Sequence, residues 1–202
     1  MNHMNIKNNL IIYLGFLAIL LSGCASLPNQ KYWPTPPEAA SIGGFESEGR
    51  LAIKDYGKGS YANFSWQKEG NIQNIEINTP LGNSVGNLCQ DSKGVIAQDS
   101  QGQIITANSI EELSQRLLGF TLPFEYLDQW IRGYRVANES FQKDTDGSIR
   151  QFGWKVRRQL QKDGETPRMV QLTNQRFDIK ILFDEYNNTA VELNKYCSLR
   201  NQ

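Results

Sequence analysis

Apolar side chains that recur at every second position constrain the fold of this 202-residue chain more than any other feature. The alternation is clearest from residue 177 to 183, and shorter runs lie at 50–54, 61–66, 74–78 and 152–157. Segments rich in Gly and Asn separate these runs. Because successive side chains of a strand point to opposite faces, the pattern predicts antiparallel strands that each carry one apolar face.

Two short helices are predicted between the strands. Ser109 and Glu112 form a capping-box pattern, and apolar residues at helical spacing lead from there to Gly119. A second apolar stripe begins near Pro123 and ends at Gly133. Helices this short need an apolar surface to pack on. The order of elements therefore predicts a mainly β, α+β fold: a strongly curved antiparallel sheet or incomplete β-barrel with the helices over its mouth.

The first 24 residues have the pattern of a bacterial lipoprotein signal. An apolar run from Leu10 to Leu21 follows Lys7 and ends at Ser22-Gly23-Cys24. The run is shorter than the roughly 20 residues that span a bilayer, and the small residues after it are typical of a cleavage site. Leu21 to Cys24 resembles the lipobox, in which the Cys is acylated and becomes the new N-terminus. The alternative is an ordinary signal peptide in which the Cys is coincidental.

Four segments follow from these patterns. We expect a signal peptide at 1–23, a lipidated Cys with a Pro-rich tether at 24–44, a folded domain at 45–186 and a polar C-terminal tail at 187–202. No Asp follows Cys24, which is typical of lipoproteins sorted to the outer membrane of Gram-negative bacteria. The expected location is therefore the cell outer membrane, with the protein lipid-anchored, carrying palmitate-type acyl chains, and facing the periplasm.

Two further cysteines, Cys89 and Cys197, remain in the mature chain. In an oxidising periplasm they could pair, and a disulfide would tie the tail to the sheet. Two free thiols are equally compatible with the sequence.

Residues suited to catalysis are scarce. The chain has one histidine, His3, and it lies in the signal segment, so the mature protein lacks the base of Ser-His-Asp and Cys-His sites and the commonest zinc ligand. Glu46 with Glu48 and Asp144 with Asp146 lie in polar stretches, and we interpret them as solvated charges. Acidic and basic residues number 21 each, without the basic excess typical of nucleic-acid binding. We expect no enzyme activity, no catalytic residues, no metal, no cofactor and no nucleic-acid partner.

Several motifs of the domain resemble those of the LolB family, outer-membrane lipoproteins that receive other lipoproteins. In chain order they are Gly49–Ala52, Ala62–Trp66, Asn78–Gly82, Leu122-Pro123 and Leu127–Gly133. The resemblance implies an incomplete β-barrel with a helical lid over an apolar cavity. It further implies that the protein accepts lipoproteins from a periplasmic LolA-like carrier, binds their acyl chains and inserts them into the outer membrane without a cofactor. A monomer suffices for that task.

The resemblance also directs attention to particular residues. Leu81 matches the protruding apolar residue with which the family contacts the membrane, and it lies in a turn with Pro80 at the second position and Gly82 at the fourth. The alternative is that the loop folds back and Leu81 packs internally. Candidate walls of the acyl-chain cavity are Leu51, Phe64, Trp66, Phe152, Trp154, Ile179 and Ile181. The alternative, which the sequence favours for any one of them, is that they form a packed core. Candidate lid residues, in either a fixed contact or a gate, are Phe124, Leu127, Trp130 and Ile131.

Other functions remain compatible with the sequence. They are a cell-wall enzyme that uses two carboxylates, a structural lipoprotein whose interior is filled by side chains, and a general periplasmic lipid-binding protein. An apolar cavity of several hundred Å³ would distinguish the receptor from the structural protein.

Overall fold

The computed structural model describes residues 33–36, 43–189, 192–193 and 196–201. The signal segment 1–23, Cys24 and most of the tether lie outside these residues. In the part that is described, no helix is long and apolar enough to cross a membrane.

The strands of the described residues form one antiparallel sheet of eleven strands. The strands are β1 (Phe45–Asp55), β2 (Lys58–Glu69), β3 (Ile72–Asn78), β4 (Ser84–Asp91), β5 (Gly94–Asp99), β6 (Ile104–Ala107), β7 (Gln142–Lys143), β8 (Ile149–Gln151), β9 (Trp154–Leu160), β10 (Pro167–Thr173) and β11 (Phe177–Asn187). Their order is β6-β5-β4-β3-β2-β1-β11-β10-β9-β8-β7. β1 therefore lies in the middle of the sheet, and β6 and β7 are its two edges. The eleven antiparallel strands confirm the predicted mainly β fold. The sheet is not closed into a barrel, in agreement with the prediction of an open sheet or incomplete barrel.

The two predicted helices are present between β6 and β7. They are α1 (Ile110–Leu118) and α2 (Phe124–Arg132). The Ser109 side chain accepts a hydrogen bond from the Glu112 N–H at 3.1 Å, as the capping box requires. Gly119 and Gly133 end the helices with φ of 76° and 87°, a left-handed conformation that glycine adopts without strain.

One face of the sheet and both helices enclose the hydrophobic core. Phe45 of β1 packs edge-on against Trp66 of β2, with ring centroids 5.0 Å apart, and Trp66 contacts Phe124 of α2 at 5.9 Å. On the other half of the sheet, Ile179 and Leu172 pair across β11 and β10 and are fully buried. The alternating apolar residues of the sequence thus become one shared inner face.

Phe152 departs from the predicted alternation. β8 ends at Gln151, which pairs with Trp154, so Phe152 and Gly153 form the two-residue turn between β8 and β9. Their φ angles are 50° and 76°, and two positive angles are typical of a tight hairpin turn. The prediction that Phe152 is a strand residue is therefore wrong. Phe152 is 41% exposed, and its ring stacks on that of Tyr126 with centroids 3.9 Å apart.

Trp33, within the predicted tether segment, rests on the domain. Its side chain is buried in the core, and its indole N–H donates to the Gly147 carbonyl at 3.0 Å. The next residue, Pro34, accepts a hydrogen bond from the Arg135 N–H at 3.1 Å. This short part of the predicted tether is consequently docked on the domain.

The outer face of the sheet carries a second, smaller apolar cluster. Cys89 of β4 and Ile96 of β5 pack there with Cys197 and Leu199. Cys89 and Cys197 form a disulfide, with their Cα atoms 5.8 Å apart, which answers the question that the sequence leaves open. The described end of the predicted polar tail, which includes a 3₁₀ helix at Ser198–Asn201, thus packs on the sheet.

Candidate functional site

The loop between β3 and β4 exposes an apolar side chain at its tip. The Gly82 N–H donates to the Thr79 carbonyl at 2.8 Å, which closes a turn with Pro80 at its second position. The Thr79 N–H in turn donates to the Asn83 carbonyl at 2.8 Å, so the loop is held at both ends. Leu81 is 90% exposed. The structure therefore places Leu81 outside the core, in contrast to the alternative in which it packs internally.

An apolar crevice lies on the inner face of the same hairpin, next to the loop. Its walls come from β3, β4, α1 and α2, and its lining residues are Ile75, Ile77, Val85, Gly86, Leu88, Ser114, Leu117 and Phe124. The volume is about 10 Å³, close to what one water molecule needs. An acyl chain is far larger, so it would enter this crevice only if the helices separated from the strands.

None of the predicted wall residues lines the crevice. Leu51, Phe64, Trp66, Trp154, Ile179 and Ile181 are all buried in the main core. They pack against one another and against the helices, while Phe152 lies in its exposed turn. The strand residues that line the crevice were not predicted as site residues. The alternation of Ile75 and Ile77 does predict the strand, and the Thr79–Gly82 turn follows it directly. Their shared crevice depends on where the helices pack, which that alternation does not encode.

The predicted lid residues lie on one buried stripe of α2. Phe124 borders the crevice, whereas Leu127, Trp130 and Ile131 are completely enclosed. The Trp130 indole N–H donates to the Gln151 side-chain oxygen at 3.2 Å, which fixes this end of the helix to β8. The first residue of α2 is therefore the lid residue nearest to the crevice.

Hydrogen bonds join the two helices into one unit. The Ser114 hydroxyl accepts from the Leu122 N–H at 3.1 Å, and the Glu111 carboxylate accepts from the Glu125 N–H at 2.9 Å. Ser114 itself donates to the Glu111 carbonyl at 2.8 Å. Because the start of α2 is tied to α1 in this way, we expect the two helices to move together if they move at all.

The carboxylates of Asp144 and Asp146 are accessible to solvent, as the sequence suggests, and they also form ion pairs. Lys155 bridges the two carboxylates at 3.1 and 3.0 Å, and the Ser148 hydroxyl donates to Asp146 at 2.5 Å. The hydrogen bond from Arg150 lowers the pKa of Asp144, and that from Ser148 lowers the pKa of Asp146. Both groups are thus held ionised by structural partners. Within the described residues, no group of three or more His, Cys, Asp or Glu side chains is arranged to hold a metal.

Comparison with known proteins decides the family. Residues 44–186 match the family model described as outer membrane lipoprotein LolB. The chain belongs to the LolB family. It is 41% identical to the outer-membrane lipoprotein LolB of Neisseria meningitidis serogroup A, over 91% of this chain and 95% of that protein.

More distant relatives carry the same description. The LolB of Chromobacterium violaceum is 32% identical, over 84% of this chain and 94% of that protein. The LolB of a Marinomonas species is 29% identical, over 86% and 94% respectively. This LolB-family protein is accordingly an outer-membrane lipoprotein, in agreement with the location expected from the sequence. Attachment of the lipid to Cys24 itself remains a prediction.

Proposed function

We propose that this LolB-family protein is an outer-membrane receptor that accepts lipoproteins from a periplasmic LolA-like carrier. It binds their acyl chains against the apolar inner side of the sheet and inserts them into the outer membrane. The observation that carries the proposal is the β3–β4 hairpin, which presents exposed Leu81 at its tip and apolar crevice walls next to the loop. One element thereby connects a membrane-contacting residue to an apolar interior.

Acyl chains enter, in this proposal, where the helix pair meets β3 and β4. The crevice marks the place where packing is already incomplete, and Leu117 and Phe124 are the helical residues at its edge. Displacement of the helix pair would extend the crevice along the apolar inner face. This displacement would expose apolar surface of the sheet and the helices. Acyl chains would cover that surface, and its burial would compensate the free energy of the lost helix contacts.

Leu81 is proposed to serve the later step, delivery to the membrane. A leucine that leaves water for lipid gains about 1.5–3 kcal/mol, enough to hold the loop at the bilayer briefly but not permanently. Pro80 and Gly82 hold the tip in its turn; Gly82 has a φ of 87°, which favours glycine. Permanent attachment is assigned to acyl chains on Cys24, and the part of the predicted tether before the docked Trp33 connects them to the domain.

No catalytic step is part of this proposal, and no cofactor drives it. Cargo moves because its acyl chains bind the receptor more tightly than the carrier, and the bilayer more favourably than the receptor. The partners are thus the carrier, the cargo lipoproteins and the lipids of the outer membrane, and the protein acts as a monomer.

The test is a two-step transfer assay with the full chain in liposomes. A LolA-like carrier loaded with a fluorescent lipoprotein is added, and the label is followed by flotation and by cross-linking to the receptor. We expect the label to move onto protein-containing liposomes and not onto empty ones. With Leu81→Glu, the label should accumulate as a cross-linked complex instead of entering the bilayer.

The small crevice volume gives weight to a second candidate, a structural lipoprotein with a filled interior. Label that stays on the carrier, while circular dichroism shows a folded receptor, would support that candidate and refute the proposed one. Uptake of free fatty acid without uptake of lipoprotein would indicate general lipid binding.

A further inference from the structure

A polar pocket lies away from the apolar crevice, on the other half of the sheet. It is lined by residues at the C-terminal end of α2, in β9, at the start of β10 and around the end of β11. They are Arg132, Tyr134, Arg158, Glu165, Thr166, Pro167, Tyr186 and Asn188. Its volume is about 260 Å³, room for several water molecules or a small ligand. Tyr186 pairs with Ser47 near the start of β1, whereas the Leu81 loop extends toward the opposite end of the strands.

Arg158 lines this pocket, and the Asp163 carboxylate acts on its charge without forming an ion pair with it. Arg158 is half-buried, and its Nε is buried with no hydrogen-bond partner, while Nη2 donates to the Glu165 carbonyl at 2.9 Å. The ion pairs formed among the described residues do not include Arg158. Burial lowers its pKa, since desolvation disfavours the charged form. A guanidinium in this state gains from any anion that can reach it.

The guanidinium of Arg158 packs directly against the backbone of Gly133. A Cβ on Gly133 would lie 2.7 Å from Nη1 of Arg158, so only a residue without a side chain lets the guanidinium pack there. Gly133 is also the C-cap of α2, and the partial negative charge of a helix C-terminus favours a cation. The helix terminus nevertheless leaves Nε without a hydrogen-bond acceptor.

Tyr186 supplies a second donor without an acceptor. Its hydroxyl is buried and has no hydrogen-bond partner, and burial raises the pKa of Tyr186 to about 12, so the phenol is neutral at physiological pH. Arg132 is different, because its guanidinium already donates to Asp128 at 2.8 Å and to Asn188 at 2.8 Å. Arg158 and Tyr186 therefore each have a donor without an acceptor, and a single ligand in the pocket could accept from both.

We propose that this pocket binds a phosphate oxyanion, either as inorganic phosphate or as the headgroup of a single phospholipid. A guanidinium fork matches the geometry of phosphate oxygens, and the phenol adds a neutral donor beside it. The acidic groups nearby are already engaged: the Asp163 carboxylate accepts from the Glu165 and Thr166 N–H groups, at 2.9 and 3.0 Å. Glu165 is exposed, and it is a rim residue of the pocket.

The test uses the full chain in a non-ionic detergent at pH 7, with calorimetric titration of inorganic phosphate, of dihexanoyl phosphatidic acid, and of chloride as the control anion. We expect saturable binding of at least one phosphate compound and none of chloride. Binding of inorganic phosphate would identify a free-ion site, and binding of the short-chain lipid alone would identify a headgroup site. Binding of neither compound would overturn the proposal.

Variants connect the binding to the pocket. Arg158→Met should weaken phosphate binding by about tenfold or more, and Tyr186→Phe should weaken it less, since a charged hydrogen bond contributes more than a neutral one. The matched control is Arg157→Met, because Arg157 is the neighbouring residue of β9, is exposed and pairs with Asp146 at 3.5 Å. Undiminished binding by Tyr186→Phe and by a folded Arg158→Met would overturn the proposal. If Arg158→Met does not fold, Tyr186→Phe still decides.

Discussion

Cys197 is covalently bonded to Cys89 of β4, a residue 108 positions earlier in the chain. The bond holds the C-terminal segment on the outer face of the sheet, opposite the helices. Leu199 and Ile96 are buried beside it, so the disulfide and an apolar contact act at the same place.

Loss of this disulfide should destabilise the domain. Cys89→Ser with Cys197→Ser removes a cross-link that closes a long loop, and such losses cost about 2–5 kcal/mol of unfolding free energy. Urea denaturation, followed by tryptophan fluorescence, measures the change. Treatment of the wild-type protein with a reductant serves as a second route to the same state. Equal stability of oxidised and reduced protein would contradict the prediction.

Asp91 should make the stability depend on pH in the acid range. Its carboxylate is buried, accepts two hydrogen bonds from Arg200 at 2.8 and 2.9 Å and a third from the Cys197 N–H at 2.8 Å. The hydrogen bonds from Arg200 are the largest cause that lowers the pKa of Asp91 in the folded state. Its stabilisation is therefore complete above the unfolded-state pKa of about 4 and is lost as the pH falls further toward the folded-state pKa.

Asp91→Asn tests this contribution. Because the change leaves Arg200 in a partly buried place without its counter-ion, we expect a loss of about 3 kcal/mol at pH 7 and a weaker pH dependence of the melting temperature below pH 4. The control is Asp184→Asn, whose ion pair with Arg50 is exposed and worth about 0–1 kcal/mol. Similar effects of the two changes would show that the burial of Asp91 is unimportant.

Leu81→Glu should weaken contact with membranes and leave the fold intact. Since the side chain is exposed, the unfolding free energy should change by less than about 0.5 kcal/mol. The measurement is the rate at which the full chain inserts cargo into preformed vesicles, with the lipid anchor present in both proteins. This rate should be lower for the variant than for the wild type. Leu81→Met is the matched control and should behave like the wild type, because it keeps an apolar tip. A glutamate variant that delivers cargo normally would refute the role of the loop.

Leu117→Trp should block acyl-chain uptake. Leu117 is a half-buried wall of the crevice, and an indole there would occupy the space between α1 and the β3–β4 hairpin. We expect transfer from the carrier to fall severalfold. The free energy of unfolding should also fall by about 1–3 kcal/mol, because an indole overpacks a crevice of about 10 Å³. Gln115→Trp lies on the exposed side of the same helix and should transfer normally. Normal uptake by the Leu117 variant would show that chains enter elsewhere.

The sequence by itself determined the local structure. Period-two alternation predicted the strands, Ser109 and Gly119 set the ends of α1, and Pro80 with Gly82 set the turn that exposes Leu81. These features follow from the preferences of residues close together in the chain. Phe152 is an exception, because the turn that it forms with Gly153 interrupts the alternation of residues 152–157.

Only the tertiary structure decided which residues share a site. The crevice joins strand residues such as Ile75 to Leu117 and Phe124 of the helices, and the polar pocket joins Arg158 to Tyr186. Such groupings depend on how the helix pair lies over the sheet, and on which buried donors are left without acceptors. Spacing along the chain carries no record of either, because both arise from contacts between residues that are distant in sequence.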